Sequence, residues 1–162
     1  MKKILSIALV CLLFLVSCGG NESSSVSYKT DVELKTLTDI IYDASGNNDL
    51  TVADAGWVAL NIPVDLSLCS ESAIYISSTG TADMFGVFKA NSEEDAEKLF
   101  GQSEDYLETL EANWMSEYLA EELPKIQNAK AIKCGLYVTF IIIDENSVNT
   151  AADNFKAALK LD

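Results

Sequence analysis

Histidine and arginine are both missing from this 162-residue chain. The first absence removes the imidazole general base, the Ser–His and Cys–His nucleophile pairs and the commonest metal ligand. The second removes the bidentate guanidinium clamp for phosphate or carboxylate. Most hydrolase and phosphoryl-transfer designs thereby lose a usual component. Positive charge is scarce as a whole: 11 lysines stand against 25 Asp and Glu, a formal net charge of −14. Such a surface repels nucleic acid, anionic headgroups and anionic wall polymers, so no nucleic-acid partner is expected. It suits cationic ligands or divalent ions, although solubility and low non-specific adhesion are the simpler account.

What is present begins with Cys18. Met1-Lys2-Lys3 is a short basic start, and Ile4 to Val16 is apolar apart from Ser6. This run is shorter than the roughly 20 residues a spanning helix needs, so it reads as an export signal. It ends in Leu15-Val16-Ser17-Cys18-Gly19-Gly20, which matches a bacterial lipobox. On that reading the Cys18 thiol is alkylated by a diacylglyceryl group and the chain is cut before it. An ordinary secretory cut after Gly19 is the competing reading, with small Ser17 and Gly19 at the recognition positions. Two acyl chains at about 0.8 kcal/mol per buried methylene make a stable anchor. Cys11 lies inside the apolar run and would be discarded. The expected organisation is a signal peptide over 1–17, a lipidated cysteine and flexible tether over 18–28, and one domain over 29–162. The expected location is the membrane's extracytoplasmic side, with the bilayer a partner through Cys18.

Within the domain, Thr30 and Glu33 have the spacing of a capping box, and Leu34, Leu37, Ile40, Ile41 and Ala44 recur at helical spacing up to Gly46. Residues 46–71 are irregular, with a short helix around Trp57 and a helical turn opened by Pro63. Two strands, 73–77 and 84–88, flank a turn at 78–81. Gly86 inside the second implies a bulge or a close backbone approach. Asn91 or Ser92 then caps a long acidic helix, whose stripe is Ala96, Leu99, Phe100, Ser103, Leu107, Leu110, Trp114 and Tyr118. The spacing carries it to about Leu119, with Pro124 as the stop. A second hairpin spans 129–133 and 136–143 around Cys134-Gly135. Its latter strand is almost continuously apolar and belongs centrally in a sheet. Asn146 caps a last helix. The predicted fold is an α+β two-layer sandwich, order α-β-β-α-β-β-α, with four antiparallel strands and the helices on one face. The two ββα units in series hint at a pseudo-twofold.

Several features line up: the lipobox, Val87-Phe88-Lys89-Ala90 before an acidic helix start, Trp114 with Tyr118, Gln127-Asn128-Ala129-Lys130 opening a strand, and Gly135-Leu136-Tyr137-Val138. Together they resemble the DUF4358-type family, small lipoproteins of Gram-positive anaerobes, over roughly Leu34 to Leu159. The resemblance implies a cell-surface lipoprotein of unknown activity and transfers no catalytic residues. The segment from Tyr118 to Pro124 is longer than the family pattern.

Candidate chemistry is sparse. Cys69 and Cys134 survive processing and are a possible disulfide in an exported protein; two separate buried thiols are the alternative. The carboxylates of the long helix and Asp144-Glu145-Asn146 lack Ca²⁺-loop spacing and read as solvated. No cofactor or metal is expected. Trp57, in the irregular segment, is the candidate contact for a ligand or partner. Three functions compete: a non-catalytic module binding a protein or small molecule, a structural or assembly role in the envelope, and a carboxylate-dependent hydrolase. The first is preferred, and the chain is not expected to be an enzyme.

Overall fold

The computed structural model describes residues 26–115, 117 and 119–161. The signal segment, Cys18, nearly all of the tether and Tyr118 lie outside the described residues. In chain order the elements are α1 (Leu34–Ser45), β1 (Leu50–Val52), α2 (Ala55–Asn61), a 3₁₀ turn (Leu66–Leu68), β2 (Cys69–Ser77) and β3 (Met84–Ala90). There follow α3 (Glu93–Asn113), a second 3₁₀ turn (Ala120–Glu122), α4 (Leu123–Gln127), β4 (Lys130–Cys134), β5 (Tyr137–Ile142) and α5 (Glu145–Leu159). The strands form one antiparallel sheet in the order β1-β2-β3-β5-β4. The fold is thus α+β. Among the described residues, no helix is long and apolar enough to cross a membrane.

Both faces of the sheet are covered, which corrects the two-layer expectation. Strand side chains alternate. Phe85, Val87, Tyr137 and Ile141 point to one face, where Leu37 and Ile41 of α1 and Phe155 and Leu159 of α5 pack. Phe88, Val138, Phe140 and Ile142 point to the other, against Val58 of α2, Leu99 and Tyr106 of α3 and Ile126 of α4. The long helix and the last helix therefore lie on opposite faces, not together. The cause is β5, in which every residue is buried. A strand apolar on both sides needs cover on both sides, and one helix layer cannot supply it. The same placement removes the pseudo-twofold. A rotation exchanging the antiparallel β2–β3 and β4–β5 hairpins runs normal to the sheet, so it would keep α3 and α5 on one face.

Other expectations shift in detail. The sheet has five strands, because the short β1 pairs with the end of β2. α1 starts at Leu34 with Glu33 as N-cap and no side-chain cap, so Thr30 does not form a capping box; Gly46 ends it at φ 62°. Pro63 precedes the 3₁₀ turn, which Asp65 caps. α3 has 21 residues and closes at Trp114; it begins at Ser92, whose hydroxyl accepts from the Asp95 N–H. Pro124 opens α4 instead of stopping α3. α5 is capped by Asp144, which accepts from the Asn146 N–H. The buried side of α3 is Ala96, Leu99, Ser103 and Tyr106. Tyr106, absent from the expected stripe, joins it, and Phe100, Leu107 and Leu110 pack half-buried against the same core.

Gly86 is a close approach and not a bulge. A Cβ there would lie 2.6 Å from a Phe140 ring carbon and 2.9 Å from one of Phe88. The bulge sits instead near Ser70, where the β2–β3 register shifts between Cys69 and Glu71.

Candidate binding groove

An apolar groove of about 540 Å³ opens at the β1 edge of the sheet. Its geometry follows from the way β1 ends. Ala53 donates its N–H to Ile74 O at 2.9 Å, and the chain then leaves the sheet. Asp54 accepts from the N–H groups of Gly56 and Trp57 at 2.9 and 3.0 Å and so starts α2. From Ile62 the chain runs back toward β2. One wall is therefore α2, through Ala55, Val58 and Ala59, with Ile62 just past its end; the other is Val64 to Ser67, and β2 contributes Ser72 to Ile74. Volume and lining fall within the usual range for ligand sites.

Some of the exposed large apolar residues of the described chain lie at this groove, and others, Val26, Met115 and Leu161, lie elsewhere. Val52 is 63% exposed and Leu66 37%, both on the lining, and Leu60 of α2 beside them is 87% exposed. Asp65 also lines the groove. Its carboxylate accepts from the Ser67 N–H at 3.0 Å, and hydrogen bonding to Ser67 lowers its pKa. The groove thus carries a fixed negative charge at its mouth.

The residues singled out from sequence are scattered. Trp57 lies on α2, half-buried against the core shared with α3, and its side chain does not line the groove. Cys69 and Cys134 are free thiols, which corrects the possible bridge. They sit on β2 and β4, roughly 14 Å apart at about 4.8 Å per strand spacing, and on opposite faces of the sheet. A disulfide needs Cα atoms within roughly 7 Å. Burial pushes both thiols up, away from the reactive thiolate. Glu104, Asp105, Glu108 and Glu111 are exposed along α3. Among the described residues, no group of three or more His, Cys, Asp or Glu could hold a metal ion.

One polar cluster escaped the sequence. Asp83 and Glu122 are each only 7% exposed. Lys125 Nζ lies 3.0 Å from both carboxylates. Asp83 also accepts from Asn47 at 3.0 Å and Thr81 at 2.8 Å, and Glu122 accepts from the Ala82 N–H at 2.8 Å. Burial pulls the Lys125 pKa down, but hydrogen bonds to Glu122 and Asp83 outweigh it and the net direction is up. With these partners engaged, the cluster acts as a clamp between the α1–β1 loop, the β2–β3 loop and α4. No sequence spacing announces it, because the three segments are far apart in the chain. The groove escaped for a related reason: it exists only because β1 is shorter than β2.

Among curated proteins none matches the chain, and among solved structures none does either. A family model matches residues 58–143, from α2 to the end of β5, and leaves α1, β1 and α5 outside. The matched segment holds most of the groove lining and four of the five strands. On that match the chain belongs to the family described as Domain of unknown function (DUF4358).

Proposed function

We propose that the chain is a lipid-anchored extracytoplasmic module that acts by binding and carries out no chemistry. The address rests on Leu15-Val16-Ser17-Cys18 at the end of the apolar leader. The binding reading rests on one observation, the groove with Val52, Leu60 and Leu66 exposed on and beside it. A concave, mostly apolar lining with a few polar groups is the usual form of a binding site. Anchoring supports this role, because it holds the groove at high effective concentration near membrane partners. A protein or small-molecule ligand fits it better than a purely structural role in the envelope, which needs no concave site.

Catalysis is disfavoured on chemical grounds. Neutral-pH proton transfer wants a group with a pKa near the operating pH, and histidine is missing. The buried carboxylates, Asp83 and Glu122, are occupied by the lysine between them. The test is a panel of peptide, ester, glycan and phosphate substrates, run with the full chain and with Asp83→Asn, Glu122→Gln and Asp65→Asn. No turnover is expected. Turnover that survives purification and disappears in one of these variants would replace the binding reading with the hydrolase.

A further inference from the structure

We infer that the groove takes an extended peptide segment, apolar in the middle and flanked by lysine or arginine, which adds to the sheet beside the free half of β2. This rests on the binding reading above and gives it a ligand class and a mode. β1 pairs only with Tyr75, Ile76 and Ser77 of the nine-residue β2. Beyond the bond from Ala53 to Ile74 O, the outer side of β2 has no neighbouring strand among the described residues.

The direction of its backbone groups follows from register. Ala73 and Tyr75 pair across to Val87 and Phe85 on β3, whereas Ile74 directs its carbonyl outward to Ala53. Alternation then turns the Ser72 N–H and C=O outward as well. Ser72 lines the groove. A segment lying in the line β1 would have followed thus meets edge hydrogen-bonding groups on one side and the apolar wall of Val58, Ile62 and Val64 on the other. This is the arrangement that peptide addition to a sheet edge uses: main-chain bonds for affinity, side-chain pockets for selection.

Charge selects among occupants. The chain carries a net −14. Asp65 stays ionised at the groove, whereas Glu71, on the free half of β2, is already paired with Lys89 at 3.5 Å. A second copy would bring like charges together along the edge, which is unfavourable. The chain's own tether is poorly suited: its Gly19–Ser27 composition offers Val26 as the lone large apolar residue. Moreover, Tyr28 is bridged to Lys160 and packs at Gly135 beside β4, at the far edge of the sheet. Positively charged flanks complement the rim and speed encounter.

The test uses the full chain in phosphatidylcholine nanodiscs and a fluorescent peptide, Lys-Thr-Val-Val-Val-Thr-Lys. A matching peptide is N-methylated at alternate amides, which keeps side chains and charge but removes the edge bonds. Ser72→Pro deletes the outward N–H at a position where an edge strand tolerates proline. Ala59→Glu changes the groove wall from an exposed helix position. The expected result is saturable binding, weakened at least tenfold by methylation, by Ser72→Pro and by Ala59→Glu, and unchanged in Glu108→Ala. Circular dichroism on each variant separates lost binding from lost fold. No binding by the wild type, or equal binding of the methylated peptide, would overturn strand addition while leaving a small-molecule binding role standing. A dimer of the wild type that Ser72→Pro abolishes would also overturn it, by assigning the edge to a second copy.

Discussion

Tyr106 shows how one side chain ties packing to pH. It lies on α3 with its ring edge-on to Phe140 at 5.3 Å, and its hydroxyl reaches Met84 Sδ at 3.5 Å, a weak partner. Burial pushes the phenol up to about 12. An unfolded tyrosine ionises near pH 10. The folded state therefore holds its proton through a window in which the unfolded state has released it, so stability is full below about pH 10 and falls above it. A shift of about two units corresponds to about 3 kcal/mol lost by pH 12. Tyr106→Phe is expected to change stability little at pH 7, since the hydroxyl partner is weak, and to flatten the decline between pH 10 and 12. Urea melts of both proteins across that range provide the check. Parallel slopes would show that the phenol is not held by the core.

Among the elements, α3 was the most readable in outline and instructive in its error. Its cap at Ser92, acidic first turn and amphipathic stripe all follow from residue type. The stripe omits Tyr106, because its hydroxyl makes it read as polar; Ala96, Leu99 and Ser103 are buried, and Phe100, Leu107, Leu110 and Trp114 pack partly buried against the same core. Leu99 is fully buried, whereas Leu107 lies half-buried among Glu104, Glu108 and Glu111 at a surface depression. Leu99→Ala should cost about 2–5 kcal/mol, Leu107→Ala distinctly less, and Glu108→Ala almost nothing. Thermal melts of the three order them; an equal loss for Leu99 and Leu107 would mean that the helix sits rotated. The hairpins were legible because β-branched and aromatic runs flank Gly80 and Gly135, both at positive φ. The second helix layer was legible in principle, since the continuous burial of β5 demands it. By contrast β1 was not: three residues give no periodicity, and its pairing depends on where β2 ends. The groove inherits that illegibility. So does the clamp, whose Asp83, Glu122 and Lys125 are brought together by tertiary packing and not by spacing.

For the whole molecule, location and charge set the context of any binding event. The domain joins the proposed anchor through about ten residues rich in Gly and Ser. The acidic surface discourages adhesion to anionic neighbours and favours cationic segments, in keeping with the ligand class inferred for the groove. The anchored location depends on one sulfur. The decisive measurement is the intact mass and N-terminal sequence of the mature protein, purified from membranes of cells fed labelled fatty acid, beside Cys11→Ala and Cys18→Ala. The expected mature chain starts at Cys18, carries the mass of a diacylglyceryl group and the label, keeps both in Cys11→Ala and loses both in Cys18→Ala. An unlipidated chain starting at Gly20, or label that persists in Cys18→Ala, would contradict the anchored module.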